Sequence, residues 1–257
     1  MRIDLDNPGQ PLVQYVMSED DTGAGIWATP AIDAITNTVF VTTGNGVADV
    51  DRGAFSSALL ALDATTLERK AHFFAPVDFD ADLDWGGSPT LFTSADGTEL
   101  VAAAGKFGYL YALRRSDLTV AWTLRLAVGC VAPELGCGSI FTPAFDGHTL
   151  YTGAGVDDPE GFDSGSVYAI EPSTGAVIWK RSVTGTVLAP VTVVDRLVFA
   201  STTRGLEVFD AETGESLWND PRRGTFYSQP VIVDGVVYTT YVSGAVVAWR
   251  PDNTGIE

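Results

Sequence analysis

The stretch IWATPAIDAITNTVFVTTGN, residues 26–45, sets a phrase that the rest of the chain repeats. A proline opens a short apolar strand, a turn follows, and further strands come after it. Later copies begin SPTLF (88–92), TPAFDG (142–147), APVTVVD (189–195) and QPVIVDG (229–235), so the marker prolines are Pro30, Pro89, Pro143, Pro190 and Pro230. Each leads into a second β-rich run: VFVTTGN, LVAAAGKFG, LYTGAG, LVFAST or VVYTTY. A third then follows: LLALDATT, LYALRRSDL, VYAIEPSTG, LEVFDAETG or VVAWRPDNTG. Trp122, Trp179 and Trp218 close three copies at the same offset. Self-similarity at such a period predicts an array of small sheets that bury their faces by stacking on one another. The repeats begin near residues 27, 86, 139, 187 and 226 and make one all-β domain over 1–257.

The turns agree with this reading. IDAITNTVFVTT, DGHTLYTGA, VDRLVFAS and VDGVVYTTY place Asp, Asn or Gly between β-branched and aromatic residues, a hairpin pattern. DATTLE, EPSTGAV and DAETGES read as tight turns into an outer strand. The prolines stand at strand starts, where a missing N–H is tolerated. No segment sustains a 3.6-residue period, so few helices are expected. Residues 10–17, QPLVQYVM, read as the outer strand of a blade whose other strands are not in this chain. Successive prolines are 59, 54, 47 and 40 residues apart, so the early copies carry insertions, which in stacked repeats become loops.

Composition narrows the function. The formal net charge is −18 with 19% charged residues, which argues against nucleic acid or an anionic membrane as partner. It suits a secreted, periplasmic or salt-adapted protein. No apolar run is long enough to span a membrane, and MRIDLDNPGQ lacks the pattern of a secretory signal. Cys130 and Cys137 are either free thiols or a local staple formed in an oxidising compartment. Without a C-x-x-C-H motif the chain attaches no c-type haem itself.

Four places carry chemistry-bearing residues. Trp27 precedes the first marker proline, and Asn45 lies eighteen residues after Trp27 in TTGNG. Asp78, Asp80, Asp82 and Asp84 alternate in PVDFDADLDWGGSP, and Lys106 lies in GKFGYLYALRR. Taken singly, Trp27 reads as a core aromatic, Asn45 as a left-handed turn residue and the Asp run as a solvated loop. The run does not fit an EF-hand, because counting from Asp78 its sixth and twelfth positions are Leu83 and Pro89 rather than Gly and Glu. Taken together they suit a quinone-type oxidation. A flat aromatic stacks on a planar cofactor, oxygen ligands hold Ca²⁺, a carboxylate serves as base, and a lysine steadies developing oxyanion charge.

With SSALLALDATT, the D-x-D-W-G-G turn and GKFGYLYALRR added to the opening stretch, the chain resembles the pyrroloquinoline-quinone-dependent alcohol dehydrogenases. Within them it is most similar to the polyvinyl-alcohol-dehydrogenase-like branch. The resemblance implies an eight-bladed β-propeller of four-stranded antiparallel blades, of which this chain supplies about five. It implies pyrroloquinoline quinone and Ca²⁺ as cofactors, an alcohol substrate, a cytochrome c electron acceptor, and a periplasmic or extracellular location. It also assigns roles. Trp27 stacks on the quinone, Asn45 ligates Ca²⁺, Asp84 takes the alcohol proton and also faces the metal, and Lys106 lies at the quinone oxygens. Asp82 is the rival to Asp84 as base. Hydride passes from the alcohol carbon to the quinone.

The departures are equally specific. The family's Glu ligand and adjacent-cysteine disulfide belong to earlier blades, and Cys130 and Cys137 do not correspond to that pair. Ile140 and Phe141 stand where many members carry Asn-Trp. The expectation is therefore a dehydrogenase by lineage, inactive as five blades alone. The alternative is a cofactor-free propeller of the same superfamily used as a protein-binding scaffold, which has no need of the Trp27–Asn45–Asp84–Lys106 set.

Overall fold

The computed structural model describes residues 2–3, 6, 11–13, 25–45, 55–76, 83–130, 137–155, 164–220 and 224–250. Among these there is no helix, and every strand pairing is antiparallel. A short pair comes first, β1 (Arg2–Ile3) with β2 (Pro11–Val13). This corrects the expectation for residues 10–17: the described part of that segment is paired within the chain, with a two-residue strand too short to show periodicity.

Four four-stranded sheets follow, each in simple up-and-down order. Blade one contains β3 (Ala31–Asp33), β4 (Thr38–Thr42), β5 (Ala58–Asp63) and β6 (Arg69–Phe74). Blade two contains β7 (Thr90–Thr93), β8 (Glu99–Ala104), β9 (Tyr109–Arg114) and β10 (Val120–Arg125). Blade three contains β11 (Ala144–Phe145), β12 (Leu150–Ala154), β13 (Ser164–Ile170) and β14 (Val177–Thr184). Blade four contains β15 (Thr192–Val194), β16 (Leu197–Thr202), β17 (Gly205–Asp210) and β18 (Ser216–Asn219). The last sheet has three described strands, β19 (Val231–Val233), β20 (Val236–Thr240) and β21 (Val246–Trp249).

The first strand of each four-stranded blade starts one or two residues after its proline. These strands touch one another, β3 with β7, β7 with β11 and β11 with β15, so the proline strands line the inner edge. Thr90 and Thr192 reinforce that edge, each hydroxyl donating at 2.6 Å to the carbonyl of the next marker proline, Pro143 or Pro230.

The core lies between sheets. Phe40, Leu59, Trp85, Val101 and Leu113 fill the space between blades one and two. Leu100, Leu110, Trp122, Leu150 and Tyr168 fill the next, and Tyr151, Trp179, Val198 and Phe209 the one after. Central strands are therefore apolar on both faces, and Val101 to Ala104 are all fully buried. The spaced tryptophans act across this stacking. Trp122 donates its indole N–H to the Pro172 carbonyl and Trp179 to that of Ala211, both at 2.8 Å. Each ring covers a glycine of the neighbouring turn, where a Cβ on Gly175 or Gly214 would come within 2.5–2.6 Å of it. At the other end of the interface between blades one and two, buried Asp33 pairs with Arg115 at 2.9 Å.

Candidate quinone site

One backbone hydrogen bond recurs in all five blades and frames the site. The N–H just beyond the second strand donates to a carbonyl four or five residues before the marker proline. The pairs are Gly44 to Gly25 (2.8 Å), Lys106 to Asp84 (2.9 Å), Gly155 to Gly138 (3.0 Å), Thr203 to Thr186 (2.9 Å) and Val242 to Thr225 (3.1 Å). Four blades place glycine, threonine or valine at these paired positions. Blade two places an acid and a base.

Their side chains meet. Lys106 Nζ lies 2.9 Å from Asp84 Oδ1, with the side chains 14% and 3% exposed. Asp84 Oδ2 accepts the N–H of Asn45 at 3.0 Å. A cation and an N–H aimed at one buried carboxylate form a strong, charge-assisted arrangement for its anion. Gly44 makes room for it. A Cβ there would stand 3.1 Å from Asp84 Oδ2 and 3.3 Å from Trp27 Nε1.

Trp27 sits above this pair with 53% of its surface exposed, and Lys106 Nζ is 6.0 Å from the ring centroid. It is not the core aromatic of the simplest reading. Asn45 is not in the left-handed region either, so turn geometry does not account for it. Asp82, with Asp78 and Asp80, lies outside the described residues.

Residues not among the sequence candidates support the Asp84–Lys106 pair. Trp85, next to Asp84, is fully buried and donates its indole N–H to the Ser57 carbonyl at 3.0 Å. Phe73, Phe107 and Tyr111 surround it with centroids 4.9–6.3 Å away. Its place four residues before a marker proline, shared with Phe226, was the available signal. Ile140 and Phe141, noted as departures, explain the Gly86-Gly87 pair. A Cβ on Gly86 would meet Ile140 Cβ at 2.3 Å, and one on Gly87 the Phe141 carbonyl oxygen at 2.7 Å. Cys130 and Cys137 form a disulfide with Cα atoms 5.8 Å apart.

Trp27, half-exposed with the Lys106 ammonium over its ring at 6.0 Å from the centroid, offers flat aromatic surface of the kind that stacks on a planar ring. The metal donors are fewer. Asn45 and Asp84 offer side-chain oxygens from two residues, whereas Ca²⁺ takes six to eight oxygen ligands. Among the described residues no group of three or more His, Cys, Asp or Glu gathers. The ion would need oxygens from beyond this set.

Residues 106–255, more than half of the chain, match the family described as outer membrane protein assembly factor BamB. Residues 7–119 match the glucose/ethanol/alcohol dehydrogenase β-propeller domain. The chain belongs to the pyrroloquinoline-quinone-type β-propeller family. It is 27% identical over 181 residues to a polyvinylalcohol dehydrogenase of Sphingopyxis sp. (strain 113P3), covering 62% of this chain and 27% of that protein. A Pseudomonas sp. polyvinylalcohol dehydrogenase is 29% identical over 177 residues, covering 61% and 26%. The chain thus spans about a quarter of the length of these relatives. In fold it is similar to the quinohemoprotein alcohol dehydrogenase of Comamonas testosteroni, with a TM-score of 0.66, 18% identity and coverage of 85% of this chain and 44% of that one. It is also similar to BamB from Moraxella catarrhalis, with a TM-score of 0.60, 20% identity and coverage of 87% and 60%. Trp27, Asn45, Asp84 and Lys106 all fall within the dehydrogenase match.

Proposed function

We propose that this chain is the cofactor-bearing part of a pyrroloquinoline-quinone-dependent alcohol dehydrogenase. The observation that carries this is the buried Asp84–Lys106 pair beneath half-exposed Trp27, at a frame position where the other blades have neither charge. Trp27 would hold the quinone by stacking on it, and the Lys106 ammonium would stand where it can stabilise negative charge on an oxygen. Asn45 and Asp84 would supply side-chain oxygens toward a Ca²⁺ ion. Asp84, with Asp82 as rival, accepts the hydroxyl proton of the alcohol. When bound, the quinone supplies hydride acceptance and Ca²⁺ supplies Lewis-acid polarisation. A cytochrome c is the proposed electron acceptor. The disulfide favours an oxidising compartment, periplasmic or extracellular.

The BamB match over residues 106–255 favours a second reading, a protein-binding scaffold with no cofactor. Dye-linked alcohol oxidation separates the two. The 257-residue chain alone, given quinone, Ca²⁺ and alcohols, is expected to reduce no dye, because two protein ligands from this set leave the metal under-coordinated. Grafted in place of the matching blades of a polyvinylalcohol dehydrogenase, it is expected to support turnover. In that ring Asp84→Asn should lower turnover by about 10²–10⁴-fold while quinone binding persists. Loss of binding with no specific effect on chemistry would make Asp84 structural or a metal ligand. An inactive graft that folds and binds no quinone would favour the scaffold.

A further inference from the structure

The turn that presents Lys106 is short. It joins β8 to β9 and is closed by the Gly108 N–H donating to the Gly105 carbonyl at 2.9 Å. The Gly105 N–H donates across the same hairpin to the Tyr109 carbonyl at 3.3 Å, and three further main-chain groups are held from outside. The Lys106 N–H goes to Asp84, and the Lys106 carbonyl accepts the N–H of Cys130 at 2.9 Å. The Gly105 carbonyl accepts the N–H of Ser139 at 3.3 Å. Gly138, at φ +67°, lies so close that a Cβ on it would stand 2.8 Å from the Lys106 carbonyl oxygen and 3.2 Å from its Cα. Gly129 approaches the next peptide equally closely, its Cβ position 2.8 Å from the Phe107 carbonyl oxygen.

Thus two short segments, 128–130 and 137–139, grip the Lys106 turn from its outer side. The Gly138 N–H donates to the Val128 carbonyl, and the Cys130–Cys137 disulfide joins the two segments covalently. One half-cystine is itself a donor to Lys106, and the other immediately precedes the glycine pressed against it.

We propose that the Cys130–Cys137 disulfide is a positioning clamp for Lys106, holding its ammonium against Asp84 and beside Trp27. The catalytic meaning of the clamp rests on the quinone reading above. Its physical content does not, because the ion pair can be read directly. The chain has three lysines, and Lys70 and Lys180 are exposed, so they serve as internal references. An ammonium held in a buried ion pair reacts slowly with an acylating reagent, and one released to solvent reacts faster.

The experiment is competitive amine acylation of the folded chain at fixed pH, with each lysine quantified by mass spectrometry. Reduction of the disulfide under native conditions should raise Lys106 labelling relative to Lys70 and Lys180 by about fivefold or more, the lower end of a site-to-site coupling. Reoxidation should reverse the rise. Cys130→Ser should reproduce it, and Asp84→Asn should produce it with the disulfide intact. Should Cys130→Ser fail to fold, the reduce–reoxidise cycle on the native chain stands alone. An unchanged Lys106 ratio in fully reduced, folded protein overturns the clamp. Failure to bind quinone, with the labelling change intact, would count against the proposed function and leave the clamp standing.

Discussion

In blade two the framing hydrogen bond joins Lys106 to Asp84, whereas in blade four the same bond, also 2.9 Å long, joins Thr203 to Thr186. Blade four folds with no acid at that carbonyl. It puts exposed Arg204 one residue further on, and Thr186 answers through its N–H, which donates to the Thr203 hydroxyl at 2.9 Å. The frame is therefore a main-chain property, indifferent to charge. A buried ion pair costs desolvation and is weak evidence for stability in its own right. The proposed function gives this ion pair, set beneath a half-exposed tryptophan, a role in holding a ligand. Both halves of the charged frame lie inside the dehydrogenase match over residues 7–119, together with the neutral Gly44–Gly25 frame of blade one, and the assembly-factor match begins at Lys106 and runs over the neutral frames of the later blades.

The largest expected effect breaks the pair in blade two and leaves blade four as control. Lys106→Met strands a carboxylate that is almost wholly buried, and should destabilise the chain by about 3–5 kcal/mol in denaturant unfolding. Arg204→Met should change stability by no more than about 0.5 kcal/mol. Adding Asp84→Asn to Lys106→Met should recover most of the loss. If Lys106→Met alone is silent, the pair is not buried as described.

A smaller effect compares Asp84 with Gly138, its counterpart in blade three. Gly138→Ala should cost more than the roughly 1–2 kcal/mol of a left-handed alanine, because its methyl meets the Lys106 carbonyl. Gly97→Ala, at φ +83° with open space around it, should cost no more than that backbone amount. Equal costs would show that the Lys106 turn yields freely.

The smallest effect lies in blade four. Burial pushes the Glu207 carboxyl above its ordinary value, and the Thr184 N–H, donating at 2.8 Å, only partly offsets this. A raised carboxyl favours the folded state when protonated, so its contribution is full below the unfolded value and is lost as pH rises through the folded one. Glu207→Gln should therefore raise Tm at pH 7, with the difference vanishing below about pH 4. A lower Tm for the variant at pH 7 would mean that the carboxylate's hydrogen bond outweighs its burial.

The fold was legible because its punctuation is local. Asp210 and Glu171 hold their turns with their own carboxylates, each accepting backbone N–H groups two or three residues on. Trp122 and Trp179 recur because each meets a carbonyl and a glycine one blade away. Trp27, Asn45, Asp84 and Lys106 were singled out as candidates through their order along the chain, and the structure brings them close together. The framing bond was not legible, because it is made by main-chain atoms and equates Asp84 with Gly25, Gly138, Thr186 and Thr225, which share no side-chain chemistry. Nor was the grip of Cys130 and Gly138 on Lys106, which depends on how closely two backbones approach. The pairing of Pro11–Val13 with Arg2–Ile3 was missed because two residues carry no period.

The most direct test of the central claim is equilibrium dialysis of pyrroloquinoline quinone, with Ca²⁺, against three forms of the chain. Wild type and Trp218→Ala, which removes a tryptophan 40% exposed on blade four, should bind weakly but saturably. Trp27→Ala should not bind. Saturable binding that survives Trp27→Ala, or none in the wild type, would contradict a quinone site built on blades one and two.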